Sequence, residues 1–355
     1  MYGYGNSFFL TTRAILAESN AAVLPVNTVA PALSGTAQEG QTLTCSTGTW
    51  TGTPTITYSY QWKRNGSNIG SATNSTYTLV TADVGQSILC TVTATNGAGS
   101  VNADSNTVTP TSAVDPDAQA FITAASITNP TQQAAINTLV VDLKGYSIWT
   151  KFKAIYPIVG GVASSHAVNL KTPGTHNLSF ATGWTHSATG MTPNGATYAD
   201  TFLNTSTDLN VNSHSFGMYS RTNNTTGSQA IGSFDNTPRF LQNNLASGNF
   251  VSGLVSSIIS YTANPSTSLL MLSRTSSTLS KAFRAGVLLG QETVVMGTLP
   301  TFNFYLGARN NAGTAALYSL HQCAFAFIGD GLTDTEAANL YTAVQAYQTT
   351  LGRQV

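Results

Sequence analysis

The sequence predicts a mainly β chain made of two sandwiches, with short helices beside the second. Three observations carry that reading. Short apolar runs alternate with clusters of Gly, Ser, Thr and Asn through most of the 355 residues, as many strands joined by turns require. Cys45, Trp62 and Cys90 each sit inside a segment of alternating apolar and polar residues, as half-buried strands do. Only 8% of residues are charged, against about 25% in typical soluble domains, so Ser, Thr, Asn and Gln must wet the surface.

From the amino terminus, Met1 to Leu24 is too short to fold alone. It reads as a loose leader or as an assembly anchor in which Phe8, Phe9, Leu10, Ile15 and Leu16 are buried by a partner. It makes a poor signal peptide, because no basic region precedes Phe8 and Arg13 interrupts the apolar stretch. No run reaches the roughly 18 to 20 apolar residues of a membrane span. Residues 25–110 form the next domain. Arg64 to Ser67 is a tight turn, and Thr81 to Gly85 is a corner before the strand that carries Cys90.

Residues 111–115 read as a linker and 116–355 as the second sandwich. Asp117 to Ala125 and Asn129 to Leu143 are predicted helices, the second capped by Asn129 with Pro130 at its first position and a stripe of Ile136, Leu139, Val140 and Leu143. Ser147 to Ile158 is predicted as an early strand. Later strands are Leu269 to Leu272, a hairpin turning at Arg284 to Gly286, and an alternating run in which Phe302, Phe304 and Leu306 face inward. Ala324 to Ile328, apolar throughout, suits a central strand covered on both faces. Thr333 and Glu336 then form a capping box, and Ala337, Leu340, Tyr341, Val344 and Leu351 recur at helical spacing until Gly352. The helices are expected to pack on the open side of the sandwich.

The segments TLTCS, YSYQWKRNG and SILCTVTATN resemble bacterial and phage immunoglobulin-like modules, which implies that two strands bring Cys45 and Cys90 together across the sandwich and that Trp62 packs on them. Ile88 stands where antibody-type domains place a tyrosine, so the tyrosine corner is absent. The segments RTSSTLSKAFRAGVLLG, FYLGARN and AFAFIGDGLTDTEAANLY, with GWTHSATGMTPNGATYADTFLN upstream, resemble concanavalin A-like, laminin-G-type jelly rolls found in tailed-bacteriophage structural proteins.

Fourteen basic and fourteen acidic residues balance. The basic ones are scattered, so no stripe for nucleic acid or anionic lipid is expected. Retaining glycoside hydrolysis needs two carboxyl groups about 5 to 5.5 Å apart. Glu18, Glu39, Glu292 and Glu336 are dispersed, and Asp200, Asp208 and Asp235 share no strand, so no enzyme is expected. The five histidines are never two to five residues apart, which argues against a compact metal site and reads them as loop or surface residues. Cys323 reads as a buried, inert thiol.

Sugar sites combine a carboxylate, an asparagine and an aromatic platform, sometimes around calcium. Asp200, Asn223, Asn224, Asp235 and Asn236, with Trp184 or Tyr219 as the platform, are the candidates; no other cofactor is expected. The resemblance implies a non-enzymatic virion accessory protein, a capsid decoration or head fibre, assembled in the host cytoplasm and displayed on the particle. Its partners would be other virion proteins, its own copies and host-surface or mucus glycans, bound weakly by many copies. The alternative is a receptor-binding tail protein with a defined carbohydrate pocket, or a glycan depolymerase.

Overall fold

Trp62 lies opposite Cys90 where the strands Thr57–Arg64 and Ile88–Asn96 pair antiparallel. The structure, a computed structural model, describes residues 21–223, 230–234, 249–254, 257–262, 267–293 and 295–355. The expected anchor residues Phe8, Phe9, Leu10, Ile15 and Leu16 lie outside the described residues, as do Asn224, Asp235 and Asn236. The chain divides into two units between Ala113 and Val114.

The first unit is an immunoglobulin-like sandwich. A four-stranded sheet, which adds Ser67–Asn68 and Gly99–Asp104 to the two strands above, shares a core with the three-stranded sheet of Leu33–Ser34, Thr42–Cys45 and Thr76–Thr78. Trp62 is fully buried there, donates its indole N–H to the Asn74 carbonyl at 2.9 Å and lies 5.4 Å from the Tyr77 ring. Cys45 and Cys90 are buried thiols. Ile88 fills core space, and a different device pins the corner. The buried Asp83 carboxylate accepts from the Tyr77 hydroxyl at 2.9 Å, the Val80 N–H at 2.8 Å and the Arg64 guanidinium at 2.7 and 2.8 Å. One carboxylate thus ties the end of one strand to the helical turn Thr81–Asp83.

The second unit is layered. Among the described residues an eight-stranded sheet runs Trp184–Ser187, Gly190–Pro193, Cys323–Gly329, His214–Ser220, Ser268–Arg274, Leu279–Arg284 and Val287–Thr293, with Phe152–Tyr156 also on Cys323–Gly329. A six-stranded sheet runs Ser179–Phe180, Ala199–Asn204, Asn303–Leu306, Ile231–Phe234, Arg309–Asn311 and Thr314–Ala316. Helices α1 (Pro116–Ala124), α2 (Pro130–Gly145), α3 (Ala163–His166), α4 (Thr205–Asp208) and α5 (Asp334–Thr350) complete the unit.

Strand periodicity decides which residues join which core. Leu269, Met271, Phe325 and Phe327 pack with Ile136, Leu139 and Val140 of α2 and Leu340 and Val344 of α5. Their neighbours Leu270, Leu272, Ala326 and Ile328 point the other way and pack with Phe304, Leu306, Ala199 and Ile231 of the six-stranded sheet. The central strands are buried at every position because both faces are covered. Asn129 caps α2 with its side chain on the Gln132 N–H, and Thr333 and Glu336 form the expected box on α5.

Two expectations need correction. Residues Trp149–Lys151 form a 3-10 turn and the strand is only Phe152–Tyr156, because Trp149 turns into the core beneath Lys144 and Lys171. His166, His214 and His321 are buried, each 1% exposed, and are not surface residues. Each is accommodated as an imidazole bonded through Nδ1, to His186, to the Asn210 carbonyl and to the Thr222 carbonyl respectively.

Candidate functional site

In the six-stranded sheet Ala199, Leu203, Ile231, Phe304 and Leu306 face the core. Alternation therefore turns the residues between them to the opposite face. The ladder register aligns one transverse row there: Ser179 opposite Asp200, Asp200 opposite Tyr305, Tyr305 opposite Gly232, Gly232 opposite Arg309, and Arg309 opposite Ala316. Gly232 contributes no side chain, so Tyr305 and Arg309 flank a gap in the row.

Tyr305 is stacked by Tyr198, with ring centroids 4.3 Å apart and planes 19° from parallel. Tyr305 is 7% exposed and supports Tyr198, which is half-buried and keeps ring surface outward. Desolvation, with the nearby Asp200 charge and Tyr198, pushes the Tyr305 phenol up to about 12, so it stays a neutral donor. Asp200 is held from two sides. Asn303 Nδ2 donates to its oxygens at 3.1 and 3.3 Å, and the Phe202 N–H donates at 2.8 Å.

Trp184 packs at the edge of the core behind this face. Its indole N–H is given to the Tyr198 carbonyl at 3.0 Å, its six-membered ring lies against Gly307, and Phe180 meets it edge-on at 5.7 Å. A Cβ at Gly307 would stand 2.7 Å from that ring, so glycine is required at this approach. At the other end of the row the Arg309 guanidinium lies 4.3 Å over the Phe234 ring.

The sequence candidates therefore separate. Asp200 lies on the outer face, whereas Trp184 packs with Phe180 against the core and meets this region through its bond to the Tyr198 carbonyl. Tyr219 is not on this face: it is fully buried, and its hydroxyl donates to Gln345 at 3.0 Å and accepts the Val355 N–H at 3.0 Å. It serves the core between the eight-stranded sheet and α5, because its strand is covered on both sides. Asn223 is exposed and is not part of the transverse row. Tyr198, Tyr305 and Asn303 were missed. Their signal, alternation in NFYL and ATYAD, was present, but only the pairing of distant strands shows that the residues meet.

His166 and His186 approach Nδ1 to Nδ1 at 2.9 Å. Among the described residues no group of three or more His, Cys, Asp or Glu side chains gathers as a metal site. A cleft of about 590 Å3 lined by Leu209, Val211 and Leu299 also occurs, without a charged side chain in its wall. Chemically, the outer row offers an aromatic surface beside a fixed carboxylate–carboxamide pair, which suits holding hydroxyl groups.

No model of a known protein family matches the chain. No curated protein matches it in sequence. Among solved structures, NanB sialidase of Streptococcus pneumoniae is 15% identical over 36% of this chain and 24% of its own, with a TM-score of 0.30. Domain 4 of AbnA, a GH43 extracellular arabinanase from Geobacillus stearothermophilus solved with arabinotriose, is 14% identical over 54% of this chain and 98% of its own, at 0.30. The binding domain of Paraclostridial Mosquitocidal Protein 1 is 11% identical over 54% and 52%, at 0.38. The chain thus spans about a quarter of NanB and about half of the toxin domain.

Proposed function

We propose that this protein is a non-enzymatic display protein that binds carbohydrate on the outer face of its six-stranded sheet. The observation that carries the reading is the Tyr198–Tyr305 stack beside the Asp200–Asn303 pair. Tyr198 offers a ring to the apolar face of a sugar, and Asp200, fixed before any ligand arrives, accepts from paired hydroxyls. One such site gives weak binding, and arrayed copies make it useful. The low charge of the chain and its resemblance to phage modules support display on a virion, alongside other virion proteins and further copies of itself.

Glycan-array screening of the full chain, followed by calorimetry on the best ligand, tests the site. Affinity near millimolar is expected, falling about tenfold in Tyr198→Ala and in Asp200→Asn, since a hydrogen bond to a charged group is worth roughly 1.5–3 kcal/mol. Unchanged binding in both variants moves the site elsewhere. Release of oligosaccharides from a bound polymer refutes the non-enzymatic reading.

A further inference from the structure

A second polar cleft, about 390 Å3, opens beside the strand Phe152–Tyr156, between the turn after Leu170 and α4. Its walls include Lys153, Lys171, Thr172, Thr175, His176 and Asp208. It does not depend on the aromatic face.

Lys171 is built into place. Its ammonium lies 4.3 Å over the ring of Trp149, which is itself 7% exposed. Among the described residues it forms no ion pair, whereas the nearby Lys144 is held by Asp115 and Asp117 at 2.7 and 2.6 Å. Lys153 reaches Asp330 only at 3.8 Å, beyond hydrogen-bonding distance. Burial pushes Lys171 down; Asp117 opposes this, and Lys144 and Lys153 add to it. The hydroxyls of Thr172 and Thr175 make no side-chain hydrogen bond among the described residues, although the Thr175 carbonyl accepts from Asn169. The one carboxylate in the wall, Asp208, is engaged: it accepts the Asn204 N–H at 2.7 Å and lies 4.0 Å from His176 Nε2.

Two like charges directed into one cleft, one of them partly desolvated and without an ion-pair partner among the described residues, repel each other until an anion arrives. We propose that this cleft binds a single compact oxyanion, the sulfate, phosphate or carboxylate of a small anion or of an acidic sugar. Lys171 and Lys153 supply the charge, and the Thr172 and Thr175 hydroxyls donate to the remaining oxygens. A polyanion such as nucleic acid is disfavoured, because Lys144 and Lys151, the next cations along the chain, are already neutralised by Asp115, Asp117 and Glu336.

Trp149 is a reporter within the site. The full chain is titrated at constant ionic strength with sodium sulfate, sodium phosphate, glucuronic acid and a sulfated disaccharide, and tryptophan emission is recorded. A saturable change with a midpoint near millimolar is expected. It should weaken about tenfold in Lys171→Met and in Lys153→Met, and vanish from the emission in Trp149→Phe. Tyr198→Ala should leave it unchanged, which separates this site from the aromatic face. Tighter binding of the disaccharide than of sulfate assigns the sugar as the source of the oxyanion; equal binding assigns the free anion. No saturable change with any probe overturns the proposal, and so does an equal change in the double variant Lys153→Met with Lys171→Met, whose fold is checked by its thermal midpoint.

Discussion

The two units bury charge in opposite ways. In the immunoglobulin-like unit the buried carboxylate of Asp83 keeps a counter-ion, Arg64, and two neutral donors. In the jelly-roll unit the buried cation Arg353, 1% exposed, has only neutral partners: the carbonyls of Pro157, Ile158 and Ala324 at 2.6 to 3.3 Å, and Gln348 Oε1 at 2.9 Å. The first arrangement is a local ion pair. The second is a cation solvated by carbonyls just after one strand and at the start of another and by a glutamine of α5, which ties the carboxyl-terminal segment to the core and leaves a positive charge near other titratable groups. His166 is lowered by burial first, then by His186, and then by this cation.

That difference predicts different responses to acid. All five histidines belong to the second unit and none to the first. Burial and its neighbours hold His166 down at about 3; His214 is held at about 4 by burial and Arg274, against the opposing bond to Asn210. Both native values lie below the ordinary 6.5. As pH falls through 6.5 the unfolded chain therefore takes up protons that the folded chain refuses, and stability falls with pH until the folded values are reached. At pH 5 each costs about 2 kcal/mol. The buried thiols distinguish the units: Cys45 and Cys90 report the first, and Cys323 the second. Pyridyl-disulfide labelling in urea, read by mass spectrometry, should show the Cys323 midpoint falling between pH 7 and pH 5. A constant Cys323 midpoint over that interval would mean that these histidines are not buried neutral.

The reverse asymmetry follows from Asp83→Ala. It strands Arg64, the Tyr77 hydroxyl and the Val80 N–H together, and should destabilise the first unit by about 3 kcal/mol, the low end for a broken buried pair because Arg64 is partly hydrated. In the same assay Cys45 and Cys90 should label at lower urea while Cys323 is unmoved. Equal shifts at all three thiols would show that the units do not unfold separately.

The same contrast explains what was legible in the sequence. Trp62 and the two cysteines announce their sandwich through alternation within three short segments, and Thr333 and Glu336 announce their helix start three residues apart. The corner was legible only as an absence, the missing tyrosine, because an aspartate there reads equally as a turn residue. The outer face was half legible. Asp200 stood out by type, whereas Asn303 lies 103 residues from Asp200 and meets it only through strand register. Tyr219 misled because its strand, HSFGMYS, mixes polar and apolar residues at positions that are all buried. Its polar groups find partners in nearby loops, and Tyr219 in α5, which local pattern does not reveal.

The smallest effect tests whether that locally legible signal also carries local energy. Thr333 accepts the Glu336 N–H, and Glu336 accepts the Thr333 N–H at 2.8 Å while pairing with Lys151 at 2.6 Å. Thr333→Ala removes the first of these bonds and the 3.0 Å bond from the Thr333 hydroxyl to the Glu336 carboxylate, but leaves that carboxylate anchored by Lys151 and the Thr333 N–H, so the loss should be that of a single cap, about 1 kcal/mol, with Thr333→Ser close to wild type. Only Cys323 should label earlier. A loss several times larger would mean that Thr333 also fixes how α5 seats on the eight-stranded sheet. In that case the capping box would belong with Arg353, among the contacts that join distant parts of the unit, and not with Asp83.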